Sequence, residues 1–200
     1  TWSNGDKYEG EFKDGVKEGK GKLTYNNGSV YEGEWENDEF NGKGEYLYEL
    51  GDRYVGDFKN NLRHGFGVHF YENGNIYEGE FFKDFENGYG VFTWQDSDKY
   101  EGNWENGWRQ GLGKYTYESG TIYEGNYIQS VAEGNGVIIY ADGTKYVGEF
   151  KNGNEHGQGS IEYPNGDKYV GQFKEAYEHG QGKMVYANGK IYEGLWEDGK

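Results

Sequence analysis

The sequence contains no cysteine, one proline and one methionine among its 200 residues. Without cysteine the chain forms no disulfide and offers no thiolate to a metal, as is typical of proteins in a reducing compartment. No apolar run approaches the roughly 18 residues that a membrane-spanning helix needs. These absences argue against a disulfide-stapled fold and against a membrane-spanning segment in these residues, and we expect a cytoplasmic protein.

Aliphatic residues are also scarce. Only 33% of the residues are hydrophobic, and the mean hydropathy of -1.12 leaves little material for a closed core. Aromatic residues are plentiful instead, with 21 Tyr, 11 Phe and 6 Trp. Because each such ring buries about 150–250 Å², a thin structure held together by rows of rings is the alternative to a disordered chain.

Basic residues are outnumbered by acidic ones, 20 to 36, which gives a net charge of -16. A surface of this sign repels phosphate backbones and anionic lipids. We therefore expect no nucleic-acid partner, and membrane lipid is disfavoured as a ligand.

A period of 23 residues runs through the whole chain. Tyr-x-Gly-x-aromatic begins at nine equally spaced tyrosines: Tyr8, Tyr31, Tyr54, Tyr77, Tyr100, Tyr123, Tyr146, Tyr169 and Tyr192. A Gly-x-Gly pair recurs between them with the same spacing, from Gly19/Gly21 to Gly180/Gly182. A period of this length indicates a repeat architecture, so we expect one continuous array over residues 1–200, as a piece of a longer protein.

Within each repeat, apolar and polar residues alternate with the period of two that is typical of β-strands. Asn-Gly and Asp-Gly pairs separate the alternating stretches and favour hairpin turns, since these residues tolerate positive φ. The sequence therefore predicts an all-β protein, an elongated, twisted, single-layer antiparallel meander with one β-hairpin per repeat and no helix.

The register of the first hairpin can be predicted by placing Gly10 opposite Gly21. The expected cross-strand pairs are then Tyr8–Leu23, Phe12–Gly19, Glu9–Lys22 and Glu11–Lys20. Glycines on one face leave room for rings to lie flat across the sheet, and the opposite face carries ion pairs. At the hairpin tips, five repeats carry other residues where the rest have glycine, and we expect less sharply turned loops there: Asp38, Asn61, Asp84, Ser130 and Ala176.

Two segments closely resemble the MORN repeat (membrane occupation and recognition nexus): Tyr77-Glu78-Gly79-Glu80-Phe81 followed by Asn87-Gly88-Tyr89-Gly90, and Tyr146-Val147-Gly148-Glu149-Phe150 followed by His156-Gly157-Gln158-Gly159. The resemblance extends over nine copies. It implies a protein-interaction scaffold of the cytoskeleton or cilium, in the style of protist scaffolds. A phosphoinositide or membrane adaptor, and the regulatory array of an enzyme whose catalytic domain lies elsewhere, are the alternatives that it leaves open.

No catalytic motif is present, since a linear repeat places identical groups in rows instead of gathering different groups in a pocket. His64, His156 and His179 share one position of the repeat. Neighbouring repeats stack about 10 Å apart, too far for two of these side chains to share one ion. We therefore expect a non-enzyme with no cofactor and no metal site.

Substitutions at exposed positions of the repeat predict three candidate interaction sites. The first is an apolar patch on the face opposite the rings, which consists of Leu47, Val55, Phe66, Val68, Phe70, Ile76, Tyr89 and Val91. A contiguous exposed patch of this kind is typical of an interface, although residues outside this sequence or the twist of the sheet could also cover it.

The second site lies along the hairpin tips, where apolar residues occupy the positions of Val16 and Lys17: Phe40, Leu62, Phe85, Trp108 and Val131. They either plug the underside of the sheet or form the wall of a groove that binds a basic amphipathic segment of a partner. The third site is the last strand, whose Ile191, Tyr192, Leu195 and Trp196 are expected to join two copies in a homodimer.

Overall fold

The computed structural model describes all of residues 1–200 and contains 17 β-strands and no helix. In the first half of the chain the strands are Lys7–Lys13 (β1), Val16–Thr24 (β2), Val30–Glu36 (β3), Glu39–Leu47 (β4), Arg53–Lys59 (β5), Leu62–Phe70 (β6), Ile76–Phe82 (β7) and Phe85–Thr93 (β8). The others are Lys99–Glu105 (β9), Trp108–Thr116 (β10), Ile122–Ile128 (β11), Val131–Ile139 (β12), Lys145–Lys151 (β13), Asn154–Glu162 (β14), Lys168–Lys174 (β15), Tyr177–Val185 (β16) and Ile191–Trp196 (β17). The chain has no helix that could span a membrane.

The chain divides into two compact units. Unit 1 comprises residues 1–95 and 104–107, and unit 2 comprises residues 96–103 and 108–200. In unit 1, each strand from β1 to β8 pairs antiparallel with the next. In unit 2, β10 to β17 pair in the same way. The predicted single-layer antiparallel meander with one hairpin per repeat is therefore confirmed.

The core is a row of tyrosine rings that lie flat over pairs of glycines, on what we call the ring face. Six of these tyrosines are fully buried: Tyr31, Tyr54, Tyr77, Tyr100, Tyr146 and Tyr169. A Cβ added to Gly159 would lie 2.5 Å from the Tyr146 ring, and one added to Gly148 would lie 2.4 Å from its hydroxyl. Only glycine leaves room for the ring at these positions.

Each core tyrosine also contacts two other rings edge to face. The Tyr146 centroid lies 5.3 Å from that of Phe150 in the same strand and 4.8 Å from that of Phe173 in the next repeat. The Tyr146 hydroxyl donates a hydrogen bond of 2.8 Å to the main-chain oxygen of Glu149. Edge-to-face pairs at this spacing contribute about 0.5–1.5 kcal/mol beyond their buried area, so the rings hold successive repeats together.

The predicted register of the first hairpin is correct as far as the glycine pair and wrong beyond it. Gly10 lies opposite Gly21, Tyr8 opposite Leu23, and Glu9 opposite Lys22. The next pair is Phe12 with Lys17, so Phe12–Gly19 and Glu11–Lys20 do not form. A β-bulge on β2 accounts for the difference.

The cause of the bulge is the conformation of Gly19, whose φ of 73° is in the left-handed region. The Glu11 carboxylate fills the bulge and accepts a hydrogen bond of 3.1 Å from the main-chain N–H of Lys20, so it does not pair with the Lys20 ammonium. Gly19 instead lies opposite Trp35 of the next repeat. The same acceptor role falls to Glu34, Asp57, Glu80, Glu149 and Gln172 in later repeats.

The expectation of looser tips where glycine is missing is wrong. Asp38 and Asn61 adopt φ values of 68° and 66°, close to the 88° of Gly15, so the tight two-residue turn is kept. The Asn61 side chain accepts a hydrogen bond of 2.8 Å from the main-chain N–H of Phe40, in the preceding hairpin. Asp84 bonds in the same way to Arg63. A polar side chain thus compensates for the backbone strain and links one hairpin to the next.

Candidate interaction surface

The face opposite the rings, here called the open face, presents the alternate side chains of each strand to solvent. The predicted apolar patch lies on this face in unit 1, over β4 to β8, and will be called the open-face patch. Five of its side chains are exposed: Leu47, Val55, Phe66, Ile76 and Tyr89. Val68, Phe70 and Val91 are half-buried among them. Phe66 and Tyr89 expose half or more of their surface, 50% and 56%.

Cross-strand pairing brings the residues of the open-face patch together. Val55 lies directly opposite Val68, and Phe70 directly opposite Ile76. Arg53 separates Leu47 from Phe70, and its guanidinium carbon lies 4.6 Å from the centroid of the Phe70 ring. The cation covers one side of this ring, and the aliphatic neighbours leave an apolar strip that runs from Val55 through Val68 and Phe70 to Ile76.

Carboxylates border the open-face patch at β4 and interrupt it at β7. Glu45 lies opposite Val55, Glu78 opposite Val68 and Val91, and Glu80 opposite Phe66. Of these, Glu45 is 3.4 Å from the Arg53 guanidinium. The remaining acidic charge favours a partner that brings lysine or arginine beside its apolar side chains.

The open face of the first two repeats carries a ladder of ion pairs instead of an apolar patch. Lys22 lies 2.9 Å from Glu32, and the pairing raises the pKa of the Lys22 ammonium above its usual value. Lys43 lies 2.6 Å from Asp57. The predicted pair of Glu9 with Lys22 has the correct register, but the Glu9 carboxylate contacts the Lys7 ammonium at 2.9 Å, which lowers its pKa.

These pairs bear on lipid binding. A depression of about 440 Å³ on this part of the face is lined by both signs of charge: Glu9, Lys20, Lys22, Glu32, Glu34 and Lys43. An anionic headgroup needs uncompensated positive charge, which this surface does not offer. The chain contains no group of three or more His, Asp or Glu side chains that could hold a metal ion.

The hairpin-tip residues do not form one set. Phe40 is buried on the ring face, where its ring stacks on Tyr31 at 3.7 Å between centroids, so it cannot contact a partner. The reason is that Phe40 occupies the position of Lys17, whose side chain points to the ring face, whereas Leu62 and Phe85 occupy the position of Val16. Leu62 and Phe85 are exposed at tips of unit 1, and Trp108 and Val131 at tips of unit 2. Partner binding by these four side chains stays a prediction.

The residues predicted for dimerisation are also divided by the structure. Trp196 is buried, with its ring centroid 5.0 Å from Tyr169 and its indole N–H donating to the main-chain oxygen of Gly182 at 3.3 Å. Its role is therefore to cap the row of rings inside its own chain. Ile191, Tyr192 and Leu195 are exposed.

Sequence reasoning missed two features. The first is an exposed apolar strip on the open face of unit 2, which includes Val147 and Val170. The same comparison of repeat positions that found the open-face patch would have found it. The second is buried His69, which replaces an aromatic residue of the ring face.

His69 lies in a polar cluster of unit 1. Its Nδ1 is 2.9 Å from an Arg63 guanidinium nitrogen, and its Nε2 is 3.4 Å from an Asp52 carboxylate oxygen. Burial, followed by the Arg63 charge, lowers the pKa of His69. The Tyr71 ring packs beside it at 4.1 Å between centroids, and its hydroxyl donates to Glu86 at 2.8 Å. The imidazole is therefore neutral at pH 7 and accepts from Arg63 at Nδ1.

Comparison with known protein families gives a match to the MORN repeat in eight consecutive segments: residues 8–30, 31–53, 54–76, 77–99, 100–122, 123–145, 146–168 and 169–191. The predicted ninth copy, which begins at Tyr192, lies outside these matches. No curated protein sequence matches the chain.

Solved structures with a similar fold include the TCP10 domain of Danio rerio CPAP in complex with a peptide of Danio rerio STIL, with a TM-score of 0.56 and 12% identity over 95% of this chain and 83% of that chain. The CPAP G-box domain, described with a suggested role in centriole elongation, has a TM-score of 0.52 and 18% identity over 98% of this chain and 96% of that chain. The Drosophila melanogaster SAS-4 TCP domain, in complex with a proline-rich motif of Ana2, has a TM-score of 0.50 and 11% identity over 88% of this chain and 90% of that chain. At these identities the similarity concerns the fold.

Proposed function

The chain belongs to the MORN-repeat family, and on that basis we propose that it is a non-catalytic protein-interaction scaffold that docks an extended, basic, amphipathic segment of a partner on the open-face patch. The observation that carries this proposal is the patch itself: eight apolar side chains on the solvent face of a single sheet, bordered by carboxylates. The similar domains of CPAP and SAS-4 also bind peptides of partner proteins, which supports a docking role for this fold.

The chemistry of the partner follows from the border of the patch. Glu45 lies on β4 and Glu78 and Glu80 lie on β7, and each borders a valine or phenylalanine. An extended segment that presents apolar and basic side chains on one face would bury its apolar residues on Val55, Val68 and their neighbours and place its cations against the carboxylates.

A synthetic peptide with leucine and lysine in turn at every second position, and serine between them, tests this proposal, with the same peptide carrying glutamate in place of lysine as its control. We expect fluorescence anisotropy to show binding of the first peptide to the full chain and none of the second. Val55→Asp should weaken binding at least about tenfold, because it places a carboxylate in the centre of the strip. Val147→Asp is the matched control, since Val147 occupies the same repeat position in unit 2.

Three results would contradict the proposal. Equal affinity for both peptides would mean that the acidic border has no role. Equal weakening by Val55→Asp and Val147→Asp would mean that the lysines bind through net charge alone. Loss of binding with Phe85→Ala or Trp108→Ala, but not with Val55→Asp, would place the segment at the hairpin tips.

The scaffold is further proposed to belong to the cytoskeleton, at a cilium or centriole. The fold shared with a domain described in centriole elongation supports this location. A fluorescent fusion of the chain should concentrate at basal bodies, centrioles or axonemes in ciliated cells. A diffuse signal, or recruitment to phosphoinositide-containing vesicles at physiological salt, would favour one of the other family roles.

The scaffold is also proposed to form a homodimer. The exposed Ile191, Tyr192 and Leu195 of β17 supply apolar surface for this contact.

A further inference from the structure

The open face of unit 2 is electrically neutral in a chain that carries a net charge of -16. The solvent-facing side chains of β10 to β17 form three rows across the strands, and these rows contain four lysines and four glutamates. Like-charge repulsion, which opposes contact between two copies elsewhere on the surface, is therefore absent from this face.

The middle row is apolar at its centre. Its four inner residues are Val137 on β12, Val147 on β13, Ser160 on β14 and Val170 on β15, each directly opposite the next in the strand register. Val147 and Val170 expose 43% and 52% of their surface. One neighbouring row places Gln158 opposite Gln172 beside this strip, and the other places Lys145 opposite Glu162.

The four outer residues of the middle row are charged, and their signs are arranged symmetrically. Lys114 and Glu124 lie on β10 and β11, and Lys183 and Glu193 lie on β16 and β17. From β10 inward the row reads Lys, Glu, Val, Val, and from β17 inward it reads Glu, Lys, Val, Ser. The two charged positions at one end therefore carry the opposite signs of the two at the other end.

This pattern is the one that a two-fold axis requires. An axis parallel to the strands, at the β13–β14 junction and between two facing sheets, places β13 over the second copy's β14 and β10 over its β17. Lys114 then faces Glu193 of the second copy, Glu124 faces Lys183, and Val137 faces Val170. No position in the row faces a like charge, and each contact occurs twice, as in an isologous interface.

Two contacts in the flanking rows agree with the same axis, whereas a third places Ile139 on β12 over Lys168 on β15. Lys145 on β13 faces Glu162 on β14 of the second copy, and Leu112 on β10 faces Leu195 on β17. Leu112 and Leu195 each expose 69% of their surface, so the exposed leucine of the last strand gains a counterpart. Unit 1 lacks this symmetry, because the same operation on its middle row would place Glu32 over Val68 and Glu45 over Val55.

We propose that two copies of this chain pack face to face through the open face of unit 2, with the two-fold axis between β13 and β14. This inference deepens the proposed homodimer by naming its surface. Eight strands at about 4.8 Å, covered over about 15 Å of their length, bury about 1,100 Å² in total, close to the lower limit of specific interfaces. The dimer is therefore concentration-dependent.

Sedimentation velocity of the full chain, from low to high micromolar concentration, tests the proposal. Wild type should shift from monomer to dimer, Val147→Asp should stay monomeric, and Val55→Asp should dimerise like wild type. The two valines occupy the same repeat position and are both exposed, so a fold defect is not expected in either variant, and circular dichroism checks this.

A charge-reversal pair tests the symmetry itself. Lys114→Glu and Glu193→Lys should each weaken the homodimer at least about tenfold, because each places two like-charge pairs across the axis. An equimolar mixture of the two variants should dimerise like wild type, since the heterodimer has opposite charges at every position.

A wild-type chain that stays monomeric throughout would overturn the homodimer as a whole. A dimer that persists in Val147→Asp would overturn the interface, and if Leu195→Asp dissolves that persisting dimer, dimerisation through β17 remains. Failure of the mixture to restore association would overturn the two-fold axis.

Discussion

The close fit of Tyr146 over Gly159 gives the sharpest prediction about stability. A Cβ on Gly159 would lie 2.5 Å from the Tyr146 ring, a distance that requires the ring or the strand to move. Overpacking of this kind costs about 1–3 kcal/mol, so Gly159→Ala should lower the free energy of unfolding by that amount. Tyr146→Ala should cost about 3–5 kcal/mol, because the ring is fully buried.

The double variant distinguishes a clash with the Tyr146 ring from a general cost of placing alanine at this position of the strand. Without the ring, the three atoms nearest to a Cβ at position 159 are gone, and the lower backbone entropy of alanine in the unfolded chain favours folding by about 0.4–1 kcal/mol. Gly159→Ala should therefore be neutral or stabilising in the Tyr146→Ala background, which gives a coupling energy of about 1–3 kcal/mol.

Equilibrium urea unfolding, followed by far-UV circular dichroism, measures the four proteins of this cycle. Gly194→Ala is the control, since its Cβ would meet the hydroxyl of the 46% exposed Tyr192 at 2.9 Å and the ring has room to move. It should cost less than half as much as Gly159→Ala. If Gly159→Ala costs the same free energy with and without the Tyr146 ring, the explanation that glycine leaves room for this ring is refuted.

Three further predictions concern single residues. Ala176 has a φ of 69° without a polar side chain, so Ala176→Asn should raise the free energy of unfolding by about 1 kcal/mol in urea titrations, and no gain would contradict the compensation seen at Asn61. The Glu149 carboxylate accepts an N–H across the bulge at 3.1 Å, so Glu149→Ala should cost about 1 kcal/mol and Glu149→Gln almost nothing; equal costs would exclude the acceptor role. Burial lowers the pKa of His69, so the neutral imidazole is favoured in the folded state. The stabilisation that it contributes is complete above the unfolded-state pKa of about 6.5 and is lost as the pH falls through the lower folded-state pKa. The urea midpoint of the wild type should therefore fall more between pH 7.5 and pH 5 than that of His69→Tyr, and parallel losses would assign the acid sensitivity to other groups.

The strands, the hairpins and the tyrosine–glycine core could be predicted because each repeats a local pattern. Alternation with a period of two determines which residues share a face, and nine copies of Tyr-x-Gly-x-aromatic make the signal unambiguous. The eight family matches have the same 23-residue period. The open-face patch was found for the same reason, because a departure from a strict repeat stands out.

The bulge could not be predicted from alternation. A bulge changes the register by whole residues while leaving the alternation in each strand intact, so Phe12 and Gly19 still share a face in the sequence pattern. Gly19 adopts a φ of 73° and the Glu11 carboxylate fills the bulge, and alternation reveals neither. The error at Phe40 has another origin: Phe40 and Leu62 occupy adjacent positions of the repeat, and adjacent residues of a strand point to opposite faces.

Valine methyl resonances offer the most direct test of the central claim, that the open face is the interaction surface of this chain. Titration of the leucine–lysine peptide into methyl-labelled protein should shift the signals of Val55, Val68 and Val91, and dilution of the protein alone should shift those of Val137, Val147 and Val170. Shifts confined to Val131 at a hairpin tip, or no shifts in either series, would contradict the claim.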